Sequence, residues 1–420
     1  MIAKKRIFKA LEHEEPDKIP IFEASIDNLE ICNYFGTKYQ FKGAKSRIKR
    51  GYYYCFGSDK YFNWWVKRLA KKKFVIKLIL NRIFKLYTQI GIDLFCAPLG
   101  LIPLIWKKNG FIDEFGREFK IIKDPKTNID IIYYTNGIFE TIEDYYNFPK
   151  PNPDNLIKKN IFRISKELEK KYKGKIFIGF LILGIFESVW QAFGLNIFSK
   201  LIRNGDAFKI ISERAYYLFE IIKKIGEWGD YEEGIIFLSD DYGYKNGLFM
   251  NPKLYRRYIV PHIDYACRLA HKNNLKVIMH SCGDIYDIFS DLVNSNIDAI
   301  HPIEPTTSNP KYNIFNLYRE YGDKICFIGN VSPQDLAEKD ENYIYEYTTK
   351  LLTKLAPNGG FILSSGHSIN PAVKLDNFLA MKKALEDYQK IKVIKESIES
   401  YEKMSEKERL YKYMNRHCIK

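Results

Sequence analysis

The side chains best placed to do chemistry are His280 and Cys282, in the run Val277-Ile278-Met279-His280-Ser281-Cys282-Gly283-Asp284. The apolar pattern from Leu275 to Met279 predicts a buried strand, and residues i and i+2 of an extended chain point to the same side. An imidazole and a thiol are thereby aimed together at the strand's end, where Gly283 lets the chain turn away. Such a pair suits a borderline-soft cation such as zinc, which takes nitrogen and sulfur ligands. The same residues also fit a plainer arrangement, a buried cysteine beside a hydrogen-bonded histidine.

Eight short apolar segments have the character of buried parallel strands and must position this pair. They span residues 19–22, 93–96, 176–181, 235–238, 276–279, 298–300, 325–328 and 361–363. From the third onward, helical patterns separate them, at 251–272, 286–295, 313–321, 342–355 and 375–393. Strands alternating with helices imply βα units and a parallel sheet. Eight such strands favour an α/β fold of the closed (β/α)8 TIM-barrel type over an open doubly wound sheet. No Gly-x-Gly-x-x-Gly follows a strand, which counts against a dinucleotide fold. Barrel enzymes build their sites at the carboxyl ends of the strands. Here those ends carry Glu23, Cys96, Asp240, Asp241, His280, Cys282, His301, Glu304, Asn330 and His367. Reactive side chains at so many strand exits point to an enzyme.

About eighty residues separate the second and third strands, more than one crossover helix requires. They include Phe111-Ile112-Asp113-Glu114-Phe115-Gly116-Arg117 and residues 129–134, which read as a hairpin, and a proline-marked linker at 149–153. We expect one barrel domain over residues 1–395, with a helical and hairpin excursion at about 50–160, followed by a peripheral charged helix at 396–420. Residues 62–86 are basic and amphipathic, with Lys71, Lys72, Lys73, Lys77, Arg82 and Lys85 among apolar neighbours. They are able to rest on a membrane surface or an acidic partner; a lid or solvated helix beside the barrel is the expected arrangement.

Composition narrows the function classes. Hydrophobic residues at 46% and aromatics at 15% supply an ample core. The net charge of +15 raises the question of nucleic acid, but Lys, Ile, Asn, Tyr and Phe are abundant together, as AT-rich codons would produce. No Arg-rich arm, zinc knuckle or aromatic RNA-binding signature accompanies the charge, so no nucleic-acid partner is expected. The seven cysteines form no Cys-x-x-Cys pair and make no disulfide framework. The start Met1-Ile2-Ala3-Lys4-Lys5-Arg6 leads into a charged helix rather than an apolar signal core. No uncharged run reaches the roughly 20 residues of a transmembrane segment. A soluble cytoplasmic protein is expected, of undetermined oligomeric state.

In order and spacing, a series of short motifs resembles the uroporphyrinogen decarboxylase superfamily, which includes zinc-dependent corrinoid methyltransferases. The resemblance runs from Arg6-Ile7-Phe8-Lys9-Ala10-Leu11 and Glu15-Pro16-Asp17-Lys18-Ile19-Pro20, through Asp113-Glu114-Phe115-Gly116-Arg117, to Asp240-Asp241-Tyr242-Gly243 and the helix entry between Pro252 and Pro261. It continues with His280-Ser281-Cys282-Gly283-Asp284, Glu304-Pro305, Gly329-Asn330-Val331 and the closing Gly359 to Ile369. The resemblance implies the same (β/α)8 barrel. It also carries departures. Uroporphyrinogen decarboxylases have an arginine-rich segment after the first strand, where this chain reads Phe22-Glu23-Ala24-Ser25-Ile26-Asp27. Their essential aspartate follows the second strand, where this chain has Cys96-Ala97-Pro98-Leu99. An octa-acid tetrapyrrole without charge partners would be costly to bury, so uroporphyrinogen is not the expected substrate.

The methyltransferase branch resembles this chain at the metal site. The resemblance implies a single zinc ion on His280 and Cys282, with His367 standing where the relatives place a second cysteine. Two histidines and a cysteine leave a position open for substrate. The implied chemistry is activation of a thiol and transfer of a methyl group from a corrinoid, or the reverse. Asp240, Asp241 and Glu304 are catalytic candidates that would orient a ligating histidine or bind a cationic substrate, with helix caps or loop hydrogen bonds as the plainer role of Asp240 and Asp241. Glu187, in Gly184-Ile185-Phe186-Glu187, also faces the expected mouth, with a solvent-exposed helix start as the plainer and favoured role. His367 is also able to act as a general acid/base. The chain has no Asp-x-His-x-x-Gly cobalt loop, so any corrinoid would come from outside, on a separate protein or free. Two rivals remain: a metal-independent decarboxylase of a carboxylated substrate with His367 as proton donor, and a non-catalytic binding subunit.

Overall fold

The apolar runs pair with one another in parallel, each with the next along the chain. In a computed structural model, which describes residues 1–38, 44–125, 129–229 and 233–402, one sheet contains β1 (Leu94–Pro98), β2 (Phe177–Leu183), β3 (Gly234–Ser239), β4 (Leu275–His280), β5 (Ala299–His301), β6 (Cys326–Val331) and β7 (Phe361–Ser365) in that order. Ile21 bridges Leu363 of β7, and Phe22 bridges Leu94 of β1, both in parallel. These two residues take the eighth place and join the sheet's edges, so the expected (β/α)8 barrel is the observed architecture. The seam is short because Pro20 has no N–H to donate, although its carbonyl accepts from Leu363 N at 3.0 Å.

Pleating sorts each strand's side chains between two cores. Phe22, Leu94, Phe177, Phe237, Ile278, Cys326 and Ile362 fill the barrel interior. Their neighbours, such as Val277, Met279, Phe327 and Leu363, pack outward against the helices. Cys96 belongs to the interior group, so this thiol is core packing below the mouth.

Buried polar contacts fasten the seam at both ends. At its amino end Arg6 pairs with Asp93, whose other oxygen accepts from Ile21 N at 3.1 Å. At its carboxyl end Glu23 accepts from Ser365 N at 3.1 Å and from the Ser365 hydroxyl. Glu23 is fully buried, and desolvation pushes its carboxyl up to about 8.

The excursion is larger than a hairpin. Helices Ala44–Tyr54, Asp59–Ala70 and Lys73–Ile90 precede β1. A four-stranded antiparallel sheet of Pro103–Lys107, Gly110–Asp113, Arg117–Lys123 and Asp130–Gly137 follows it. The expected single helix at 251–272 is two, Pro252–Tyr258 and Val260–Lys272. Pro261 has no N–H to continue the first, and it sits in the opening turn of the second. The last helix runs from Leu375 to Glu402; the part of the expected terminal helix at 403–420 lies outside the described residues. Among the described residues, no helix is long and apolar enough to cross a membrane.

Glu23 makes stability depend on pH. Its folded pKa of about 8 exceeds its ordinary value of 4.5, so the folded chain holds that proton more tightly than the unfolded chain. The stability it contributes is present in acid and is lost as pH rises through 8. Glu23→Gln should be near-neutral at pH 5 and stabilising at pH 8.5 relative to wild type. Urea midpoints at both pH values check this, and an equal effect at both would refute it.

Candidate functional site

At the carboxyl ends of the strands the apolar interior gives way to a polar layer. Register sets His280 of β4 beside Ser239 of β3 and His301 of β5. Two residues earlier on the same strands, Ile278, Phe237 and Ala299 face the barrel interior. Period-two alternation therefore turns both imidazoles inward. They rest on an aromatic floor: Phe237 is 5.4 Å from His280 and 5.6 Å from His301, and Phe22 meets His301 edge-on at 5.3 Å.

His280 Nδ1 and His301 Nδ1 are 2.7 Å apart, a distance that calls for one proton between them. With that proton on His280, Nε2 of the same ring keeps its lone pair for the mouth. Burial lowers the His280 pKa to about 4 and the His301 pKa well below its ordinary value, so both rings are neutral at pH 7.

Cys282 Sγ lies 3.5 Å from His280 Nε2. His367, in the loop after β7, holds its ring 6.2 Å from that of His280. One ligand atom from each of His280, Cys282 and His367 lies within 4.8 Å of the others. His280 is buried, Cys282 half-buried and His367 exposed, so the cluster opens to solvent on the His367 side. Two nitrogens and one sulfur form a donor set that zinc accepts. The surrounding charge fits a cation as well. Burial pushes the Cys282 thiol well up, and negative charge from Asp241, Glu304 and Glu187 pushes it further. A thiolate here calls for positive charge alongside, which a bound cation would supply.

Two carboxylates fix the loop that carries the thiol. Asp241 Oδ1 accepts from Cys282 N at 2.8 Å and lies 3.6 Å from His280 Nε2. Glu304 accepts from Gly283 N at 2.6 Å and from the Thr306 hydroxyl at 3.0 Å. Gly283 has φ +79°, and a Cβ there would sit 2.3 Å from the Gly243 carbonyl carbon, so the turn after Cys282 requires glycine.

Asp240 faces elsewhere. Fully buried, it accepts from Phe186 N at 3.1 Å and Glu187 N at 2.6 Å, capping the first turn of helix Ile185–Phe193. Burial pushes its carboxyl up to about 7. Gly184 makes the contact possible, since a Cβ there would lie 2.2 Å from Asp240 Cβ. The structure thus gathers His280, Cys282, His367, Asp241 and Glu304 at the mouth and directs Asp240 to a helix end.

Glu187 faces the mouth and does not stand at an exposed helix start, because this helix begins inside the mouth against Asp240. It is 9% exposed, and desolvation followed by Asp241 pushes its carboxyl up to about 8. It accepts from Gln191 Nε2 at 2.7 Å and from Asp241 N at 3.4 Å. Gln191 in turn accepts from Arg117 at 2.9 Å, and Arg117 pairs with Asp113 at 2.7 Å. A continuous polar chain thereby joins the antiparallel sheet to the mouth. Asn330 has a structural role nearby, donating to Ile303 O at 2.7 Å and accepting from the Tyr347 hydroxyl at 2.9 Å. No motif marks His301 as the residue that orients His280; the signal for it is the alignment of the β4 and β5 ends.

The barrel carries a nitrogen–sulfur donor cluster at the carboxyl ends of its strands, and known proteins share parts of this arrangement. Residues 234–388 match the family model for uroporphyrinogen decarboxylase (URO-D). The uroporphyrinogen decarboxylases of two Coxiella burnetii strains, RSA 331 / Henzerling II and RSA 493 / Nine Mile phase I, are each 25% identical over 160 residues. That match spans 37% of this chain and 40% of the length of each relative. A solved methyltransferase from Methanosarcina mazei shares the fold, with TM-score 0.63 and 15% identity over 92% of this chain and 99% of that one. Over residues 234–388 the chain is thus similar to the uroporphyrinogen decarboxylase family, and its fold is shared with the methyltransferase.

Asp240→Ala should leave two buried amides unpaired and cost roughly 2–4 kcal/mol of stability. Asp241→Ala, at a more open position, should cost about 1 kcal/mol or less. Chemical denaturation of both variants checks the difference, and equal losses would contradict the division of roles.

Proposed function

We propose that this protein is a zinc-dependent methyltransferase that moves a methyl group between a corrinoid carried on a separate protein and a thiol. The supporting observation is the convergence of His280, Cys282 and His367 donor atoms within 4.8 Å, amid carboxylates and facing solvent. His280 would bind through Nε2 while His301 holds its other nitrogen, and Cys282 would bind as thiolate. His367 would complete the set, leaving one position for the substrate thiol. Zinc, when bound, supplies the positive charge that lowers a thiol's pKa toward neutrality. Asp241 and Glu304 hold the Cys282 loop through its amides, and Asp241 also faces the His280 ring. In methyl transfer to the thiol, a sulfur–carbon bond forms as the cobalt–carbon bond breaks, and that bond's electron pair stays on cobalt.

The acidic mouth also bears on the rival decarboxylase. A substrate rich in carboxylates would meet Asp241 and Glu304, whereas a cation or a thiol beside a cation meets compensating charge. The relatives named as uroporphyrinogen decarboxylases keep that reaction as the alternative.

Elemental analysis of the purified protein should find about one zinc per chain, lost in His280→Ala and Cys282→Ala variants that remain folded. His301→Phe should keep the aromatic packing and weaken zinc affinity about 10–100-fold, measured by chelator competition. Methylcobalamin with a panel of thiols should yield methyl thioethers. A folded, metal-free wild type, or carbon dioxide release from a carboxylate panel without methyl transfer, would overturn the proposal.

A further inference from the structure

The chain's positive charge is concentrated in one place. Residues 44–90 contain thirteen Lys or Arg against a single acid, Asp59, a local balance of +12 within a total of +15. They form three of the helices that precede β1.

Bulky apolar side chains stand exposed on the same helices. Tyr61, Trp64 and Trp65 follow at i, i+3 and i+4 and are 61%, 58% and 40% exposed. Arg68 continues the stripe one turn on, its guanidinium 5.2 Å from the Trp64 ring. On the next helix Phe74 and Leu78 are 66% and 55% exposed. Exposed Lys60, Lys67, Lys71, Lys72, Lys73 and Lys77 flank these side chains. A solvated lid would turn a polar face outward.

Beneath this face lies an apolar cavity of about 570 Å³. Trp65, Leu69, Ile76 and Ile79 of the helices line it, with Leu101 and Trp106 from the chain beyond β1. Arg47 is the one charged residue in its lining among the described residues. Trp65 and Ile79 are both exposed and part of the lining, so the cavity reaches the outer face.

We propose that this face docks on an anionic phospholipid surface, with an acyl chain entering the cavity. Exposed tryptophan and phenylalanine among lysines match the boundary between headgroups and acyl chains. The +12 balance matches anionic headgroups, and the cavity accepts a flexible apolar chain. A second copy docking symmetrically would set +12 against +12. Nucleic acid brings no apolar appendage for the cavity.

The test is sedimentation of the full chain with vesicles of phosphatidylcholine alone or mixed equally with phosphatidylglycerol. The protein should bind the mixed vesicles at low ionic strength, at least tenfold more weakly to neutral ones, and should be released by salt. Replacing Lys71, Lys72 and Lys73 together by Gln should weaken partition by on the order of 100-fold. Trp64→Ala and Phe74→Ala alter only exposed side chains and should weaken binding with the charge intact, circular dichroism confirming the fold. No binding to mixed vesicles, equal binding to both compositions, or undiminished binding by the triple variant would overturn the proposal. So would light scattering that shows a dimer through this face, or binding of an acidic protein in place of vesicles.

Discussion

The mouth of this barrel depends on closure of the parallel sheet by Ile21 and Phe22. Seven strands in chain order would otherwise leave β1 and β7 as free edges. His280 and Cys282 leave β4, whereas His367 leaves β7, three places further around the ring. These donors share a point because the sheet curls until its edges meet. Arg6 and Asp93 fasten one end of the seam, and Glu23 with Ser365 fastens the other, the latter two residues before His367. Joining the first and last segments thus also sets the position of the most distant donor.

Closure divides the molecule electrostatically. Inside the mouth Asp241 and Glu304 press negative charge on a half-buried thiol, while the flank formed by residues 44–90 is strongly positive. The chain from Asp113 through Arg117, Gln191 and Glu187 to Asp241 joins the excursion's sheet to the mouth by polar contacts. Burial without a full partner is what raises Glu187, and the cost is borne beside the candidate metal ligands.

Much of this order is legible in the chain because it is local. Apolar runs of strand length mark the barrel strands, and period two aims His280 and Cys282 together. Parity also explains why Cys96, near a strand end, is core: β1 runs on to Pro98 and keeps the thiol below the rim. The contact of His301 with His280 was not legible in the same way, because register between strands is written in neither strand alone. Glu187 looked like an exposed helix start, since nothing nearby in sequence announces that Asp240 would cap that turn from another strand. The break before Pro261 was visible as a residue but outweighed by the apolar spacing on both sides.

The three donors differ in how firmly the fold holds them. His280 is the last residue of a strand and is braced by His301, and the Cys282 loop is held through its backbone by two carboxylates. His367 stands exposed on the loop after β7. Two of the donors are fixed by the barrel's own hydrogen bonds, and the third faces solvent. A cation held by these three side chains would therefore come and go past His367, the one donor that solvent reaches freely.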